Sequence, residues 1–331
     1  MRAVAHESRQ QSGDSGVVHR SAFQVGGVSV QVGGHSPDDV ALFPSLAAFR
    51  ADGCRSDIRL RIEWVESLGV PAGRGLFDSG SVWRLREDGA GFVFDFSSSI
   101  VASQPYKRLV VDREFRRAKL QMSKESLVSA GRPVSPLEYP LDELLIMHRL
   151  TQEKAIELHG CGIVRADGIG NLFVGHSGAG KSTTTRLWTA REDVEVLSDD
   201  RIIVRRDEKK QVPHRRSAPA RNDKGNFGRD DRTIRMYGTP WHGEAMYASP
   251  NSAPLARIFI LEHGHGNVIT RLSPSQAVAE LFARAFVPFH RHEYVESALN
   301  FLEEVVAEIP VYRYAFEPNE AAVSAVADFQ D

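Results

Sequence analysis

The chain has 331 residues, 42% hydrophobic and 25% charged, with a net charge of −2. That length holds two domains and a sizeable core, and the balance gives no global reason to expect a nucleic-acid partner. No apolar run approaches a membrane span, and two cysteines, Cys54 and Cys161, make neither a disulfide framework nor a zinc site. Both read as buried thiols of a reducing, cytoplasmic protein.

Met1 to Ser21 is polar, mixed in charge and without the apolar centre of a signal peptide, so residues 1–21 are expected to fray as a tail. Phe23 to Val32 alternates around glycines as an opening hairpin, and Asp57 to Val65 alternates for a full strand. Ser81–Leu85 and Gly91–Phe96 flank Glu87-Asp88-Gly89, a second hairpin signal. Tyr106 to Val111 reads as a further strand. Residues 22–135 are therefore expected to form a mostly antiparallel β unit, and no catalytic constellation stands out in them.

Gly131 to Pro140 carries three prolines and predicts extended chain at a domain boundary, with 136–331 as the second domain. Leu141 to Leu150 has helical spacing. Leu158 to Val164 is strand-like, and Ala166-Asp167-Gly168-Ile169-Gly170 links it to Leu172-Phe173-Val174. That link is too short for a parallel crossover, so the two strands should make an antiparallel hairpin.

The run Gly175-His176-Ser177-Gly178-Ala179-Gly180-Lys181-Ser182-Thr183 then fits G-x-x-x-x-G-K-[ST] throughout, between that strand and a helical segment from Thr183 to Ala190. Glycines let backbone N–H groups curl around phosphate oxygens, and a helix N-terminus adds positive potential. Lys181 supplies a point charge to the outer phosphates, and the Ser182 hydroxyl can ligate Mg²⁺. The short strand Val194 to Leu197 ends in Ser198-Asp199-Asp200, carboxylates placed to hold Mg²⁺ and polarise an attacking hydroxyl.

Arg205 to Arg235 is polar and basic and includes His214, Arg215, Arg216 and Arg221. Two readings stand, a surface loop or a substrate-facing flap. Residues 206–243 are expected on the acceptor side of the site, with Trp241 as an apolar anchor or, alternatively, a core residue. Arg257–Leu261, Val268–Leu272 and Val311–Phe316 read as strands. Ser273–Ala285, opening on Ser-Pro, and Tyr294–Ile309 read as helices.

Leu158-His159-Gly160, Asp167 to Gly170, Gly175 to Ser182 and Ser198-Asp199-Asp200 together resemble the catalytic domain of HPr kinase/phosphorylase, whose fold is shared with the phosphoenolpyruvate carboxykinases. The closer resemblance is to HPr-kinase-like proteins of bacterial modification and peptide-biosynthesis gene neighbourhoods, which carry the Gly-Thr-Pro-Trp segment found at Gly238 to Trp241. It covers roughly Pro136 to Asn319. It implies a mixed α/β (α+β) fold, with a hairpin feeding the P-loop. It also implies nucleotide contacts from Gly175, Ser177, Gly178, Ala179, Gly180, Lys181, Ser182 and Thr183. Ser182 and Asp200 would hold the metal, Asp199 would accept the proton of a substrate serine, and His159 would stand beside the phosphates. The Glu-x-Arg-Gly-Leu-Gly segment of HPr kinases is replaced by Ile234 to Trp241, which puts phosphorolysis, and HPr itself as substrate, in doubt.

The expected activity is an ATP- and Mg²⁺-dependent kinase acting on a hydroxyl, with a serine of a protein or peptide as acceptor and no membrane or nucleic-acid partner. A homo-oligomer is left open. A non-catalytic ATP-binding sensor and a carboxykinase-like enzyme are the alternatives.

Overall fold

The computed structural model describes residues 17–51, 53, 55–99, 101–128, 134–191, 193–207 and 234–330. The architecture is mixed α/β, 40% strand against 22% helix, so sheets carry the core. Two compact units form. The first holds the described residues up to Phe23, with Ser29–Phe43 and Arg50–Glu138. The second holds Gln24–Val28, Pro44–Phe49 and the described residues from Tyr139 on. No described helix is long and apolar enough to cross a membrane.

The first eight strands make one sheet. They are β1 (His19–Val25), β2 (Val28–Gly34), β3 (Ile58–Val65), β4 (Arg74–Asp78), β5 (Trp83–Glu87), β6 (Gly91–Ser98), β7 (Ala102–Asp112) and β8 (Arg117–Ser123). Their order is β1-β2-β3-β8-β7-β6-β5-β4. Two short helices accompany them, α1 (Pro44–Ala47) and α2 (Lys124–Val128).

One expectation is corrected here. Strand already begins at His19, inside the stretch read as a tail, because Ser21 and Phe23 point inward and are buried. The sheet is mostly antiparallel, as expected, along β4 to β8, while β3 pairs parallel with both β2 and β8. Alternation reports which face a residue takes, not strand direction. The long connection from Gly34 to Ile58 frees β3 to run parallel. The hairpin read around Gly89 is present, with Gly89 at φ +86° between β5 and β6.

The second unit runs α3 (Leu141–Leu150), β9 (Ala155–Val164), β10 (Gly170–Val174), α4 (Lys181–Thr189), β11 (Glu195–Ser198), β12 (Arg201–Arg206), β13 (Ile234–Tyr237), β14 (Ser252–His263), β15 (Val268–Arg271), α5 (Pro274–Phe282), β16 (Ala285–Phe286), α6 (His292–Glu308), β17 (Val311–Phe316) and α7 (Glu320–Ala327). β9 and β10 are antiparallel, with Gly170 opposite Val164. The link between them is closed by Arg165 N to Ile169 O at 3.0 Å. The long strand β14 pairs parallel with β10 and β17, and antiparallel with β13 near its start.

Alternation along β14 separates two cores. Ile258 and Ile260 pack with Leu281, Phe301, Leu302 and Val305 of α5 and α6. Phe259 and Leu261 pack with Trp188 of α4 and Val323 and Val326 of α7. The sheet is therefore sandwiched between helices, as a strand buried on both faces requires.

Of the basic segment 205–235, residues 208–233 lie outside the described residues, including His214, Arg215, Arg216 and Arg221. Its two ends are strand rather than loop, with Val204 opposite Met236 and Arg205 opposite Arg235. Flanking arginines hid the strands, whose buried residues are Ile202, Ile203, Val204, Ile234 and Met236.

Candidate functional site

β10 is buried along its whole length and delivers the chain into a glycine turn at 175–180. Gly178 (φ +81°) and Gly180 (φ +104°) take left-handed backbone that a β-carbon disfavours. At Gly180 a β-carbon would also stand 2.4 Å from the Phe316 ring, and at Gly175 it would stand 2.7 Å from that of Ala179. Gly180 is the N-cap of α4, and no side chain caps the helix. Its first-turn N–H groups have no intrahelical acceptor, which makes this end a place for an anion.

Lys181 opens α4 and is buried. Its Nζ donates to Gly175 O at 3.1 Å and His176 O at 3.2 Å, folding the side chain back over the turn. Burial holds its ammonium below the ordinary value, with the Asp200 carboxylate acting against that trend. Ser182 and Thr183 follow, half-buried, while His176, Ser177 and Gly178 at the tip are exposed.

One dipeptide of β9 ties this turn to the carboxylate pair. His159 O accepts from Gly175 N at 3.1 Å, and Gly160 N donates to Asp200 O at 2.9 Å. The His159 ring then reaches the Asp200 side chain, with Nε2 2.9 Å from Oδ1. Burial pushes the Asp200 carboxyl up, but the His159 hydrogen bond and the charges of Arg201 and Lys181 outweigh it. The group is held below the usual carboxylate value. Lys181, His159 and Asp200 are thus brought together.

Asp199 takes a different position. It is 1% exposed. Its Oδ1 accepts from Gly243 N at 3.0 Å and Tyr247 N at 3.2 Å, and its Oδ2 accepts from Ala245 N at 2.8 Å. Both oxygens are committed to the backbone of segment 243–247. Of the two aspartates, Asp200 is the accessible one, and Asp199, expected to be the base, anchors a loop.

Trp241 is 5% exposed, and its indole N–H donates to Asp142 Oδ2 at 2.8 Å. Of its two readings, the core residue is the one found, because a buried indole needs an acceptor and α3 supplies it. The apolar-anchor reading is corrected accordingly.

Several residues at the site were not anticipated. Arg201 contacts Asp200, Glu143 and Glu157. Arg284 accepts the His159 N–H on its backbone carbonyl. The Arg284 charge is the largest influence depressing the His176 pKa, ahead of burial. The signal for Arg201 was its place directly after Asp199-Asp200; Arg284 had none, since only pairing of β16 with β9 brings it near.

Among the described residues, no group of three or more His, Cys, Asp or Glu side chains could hold a metal by itself. Ser182 and Asp200 are the oxygen side chains of this site that a Mg²⁺ ion would take, with waters and phosphate oxygens as its other ligands. The turn, with no room for a β-carbon at Gly175 and Gly180, the uncapped helix and the adjacent Lys181 fit a nucleotide phosphate chain. The chain matches no protein-family model and no curated protein.

Proposed function

We propose that the second unit is an HPr-kinase-like P-loop domain that transfers the γ-phosphoryl group of ATP to a hydroxyl, with a serine of a protein or peptide as acceptor. The observation that carries the reading is the joining of the 175–182 turn to the His159–Asp200 pair through a single dipeptide of β9. The antiparallel β9–β10 hairpin entering the turn supports the finer fold assignment, since it departs from the all-parallel entry of common P-loop enzymes.

Phosphoryl transfer asks a protein mainly for positioning and charge neutralisation. The α4 N-terminus and the backbone of 175–183 would hold the phosphates. Lys181 would leave the Gly175 and His176 carbonyls for the outer phosphates. When bound, Mg²⁺ supplies neutralisation of charge on the phosphate oxygens, with Ser182 as its ligand and Asp200 within the same group. Asp200 would orient the acceptor hydroxyl and receive its proton, with His159 fixing the carboxylate. Asp199 would keep segment 243–247 in place beside it.

The experiment is incubation of purified chain with γ-labelled ATP, Mg²⁺ and a library of serine peptides, with oxaloacetate in a parallel arm. Label on peptide hydroxyls is the expected result. ATP binding without transfer favours a sensor, and decarboxylation of oxaloacetate favours a carboxykinase.

A further inference from the structure

Arg201 opens β12, one residue after Asp200. Its Nη1 donates to Asp200 Oδ2 at 2.5 Å. On its other side, Nε faces Glu143 Oε1 and, at 3.4 Å, Glu157 Oε1. One planar cation therefore faces three carboxylates. Its guanidinium carbon lies 4.7 Å from the Phe286 ring centroid and 5.9 Å from that of Tyr139. The same Phe286 ring stands edge-on to His159, centroids 5.9 Å apart.

The two glutamates are buried, and Glu157 has no exposed surface. Buried Glu157 is faced by the acid Glu143 and by the Arg201 charge, and of the two only Arg201 can compensate a carboxylate there. Removing that charge would leave a buried acid uncompensated, which fixes the guanidinium firmly in place. A fixed guanidinium in turn fixes the carboxylate it touches. Asp200 is then held from two sides, Oδ2 by Arg201 and Oδ1 by His159. A lysine could supply the charge but not the planar fork that spans Asp200 and the glutamates together.

We propose that Arg201 is a positioning residue that sets the orientation of the Asp200 carboxylate, and that Glu143 and Glu157 serve to hold Arg201 for that task. The activity arm of its test rests on the phosphoryl-transfer reading; the structural arm does not.

The test uses the full chain with Arg201→Lys, and with Arg201→Met/Glu157→Gln in case the lysine variant fails to fold. For each, kcat, the acceptor KM, the ATP Kd by calorimetry and a crystal structure are obtained. The expected result is a kcat loss of roughly a hundredfold, an ATP Kd within about twofold of the parent, and an Asp200 carboxylate turned off His159 Nε2. An intact Asp200–His159 contact with parental kcat overturns the proposal. So does a variant that merely melts earlier while keeping that contact, since Arg201 would then only compensate buried charge. If the parent chain transfers no phosphoryl group, the phosphoryl-transfer reading fails, and the position of the Asp200 carboxylate alone decides the proposal.

Discussion

The indole N–H of Trp241 donates to Asp142 Oδ2 at 2.8 Å, with Trp241 5% and Asp142 3% exposed. This bond ties the Gly238–Trp241 segment to α3. Trp241→Ala should therefore destabilise the second unit by about 3–5 kcal/mol, the usual cost of removing a buried aromatic. Urea unfolding read by circular dichroism measures it. A variant of parental stability that only weakens acceptor binding would return Trp241 to a surface role.

The two aspartates should separate by phenotype. Asp199→Asn places an amide NH₂ against backbone N–H groups now bonded to a carboxylate, so it should lower Tm and expose 243–247 to protease. Asp200→Asn should keep Tm and ATP affinity and reduce turnover at least about a hundredfold, the scale for losing a positioned base. Limited proteolysis and single-turnover assays report the two effects. Proteolysis confined to the Asp200 variant would reverse the assignment.

Much of the second unit was legible in the sequence. The glycine turn, the hairpin before it and the capped helix after Ser273 each rest on local chemistry: positive φ, a five-residue link, and the Ser273–Gln276 capping box. The commitment of Asp199 to backbone amides was not legible, because those amides, of Gly243, Ala245 and Tyr247, lie more than forty positions away. What Arg201 touches beyond Asp200 was equally hidden. Its partners Glu143 and Glu157 sit on α3 and β9, gathered by the β9–β12 pairing and by the packing of α3 on β9. Strands β12 and β13 were missed because their outward arginines masked a short buried stripe.

Gly180→Ala tests the turn itself. The added methyl meets the Phe316 ring at 2.4 Å on a backbone at φ +104°. Strain of this kind costs on the order of 1–3 kcal/mol. The variant should melt lower and lose ATP affinity, and Phe316→Leu should restore part of the stability by making room. Lys181→Ala should instead leave Tm nearly unchanged while abolishing transfer and weakening ATP binding, since its present partners are two loop carbonyls. Calorimetric titration with ATP distinguishes them, and a Lys181→Ala chain with parental affinity would defeat the phosphate-binding reading.

The last prediction concerns pH. Burial raises the Asp142 carboxyl from 3.8 to about 7, against the lowering effect of the Trp241 hydrogen bond. Well below pH 3.8 the group is protonated in both folded and unfolded chains. As pH rises, the unfolded chain ionises first while the folded chain keeps its proton. The stability associated with the neutral carboxyl is thus full at low pH and is lost as pH climbs to about 7. A shift of this size corresponds to up to about 4 kcal/mol. Burial of His148 acts in the opposite sense: its pKa is lowered to about 3, so its contribution is lost as pH falls below the ordinary histidine range. The parent curve therefore mixes both trends, and a difference isolates one. Asp142→Asn keeps an oxygen for the Trp241 N–H and cannot ionise. Relative to the parent it should gain stability steadily from pH 4.5 to pH 7.5, read as a widening difference in Tm by calorimetry. A difference that stays flat across that range, or narrows, would show that Asp142 ionises in the folded chain as readily as in the unfolded one.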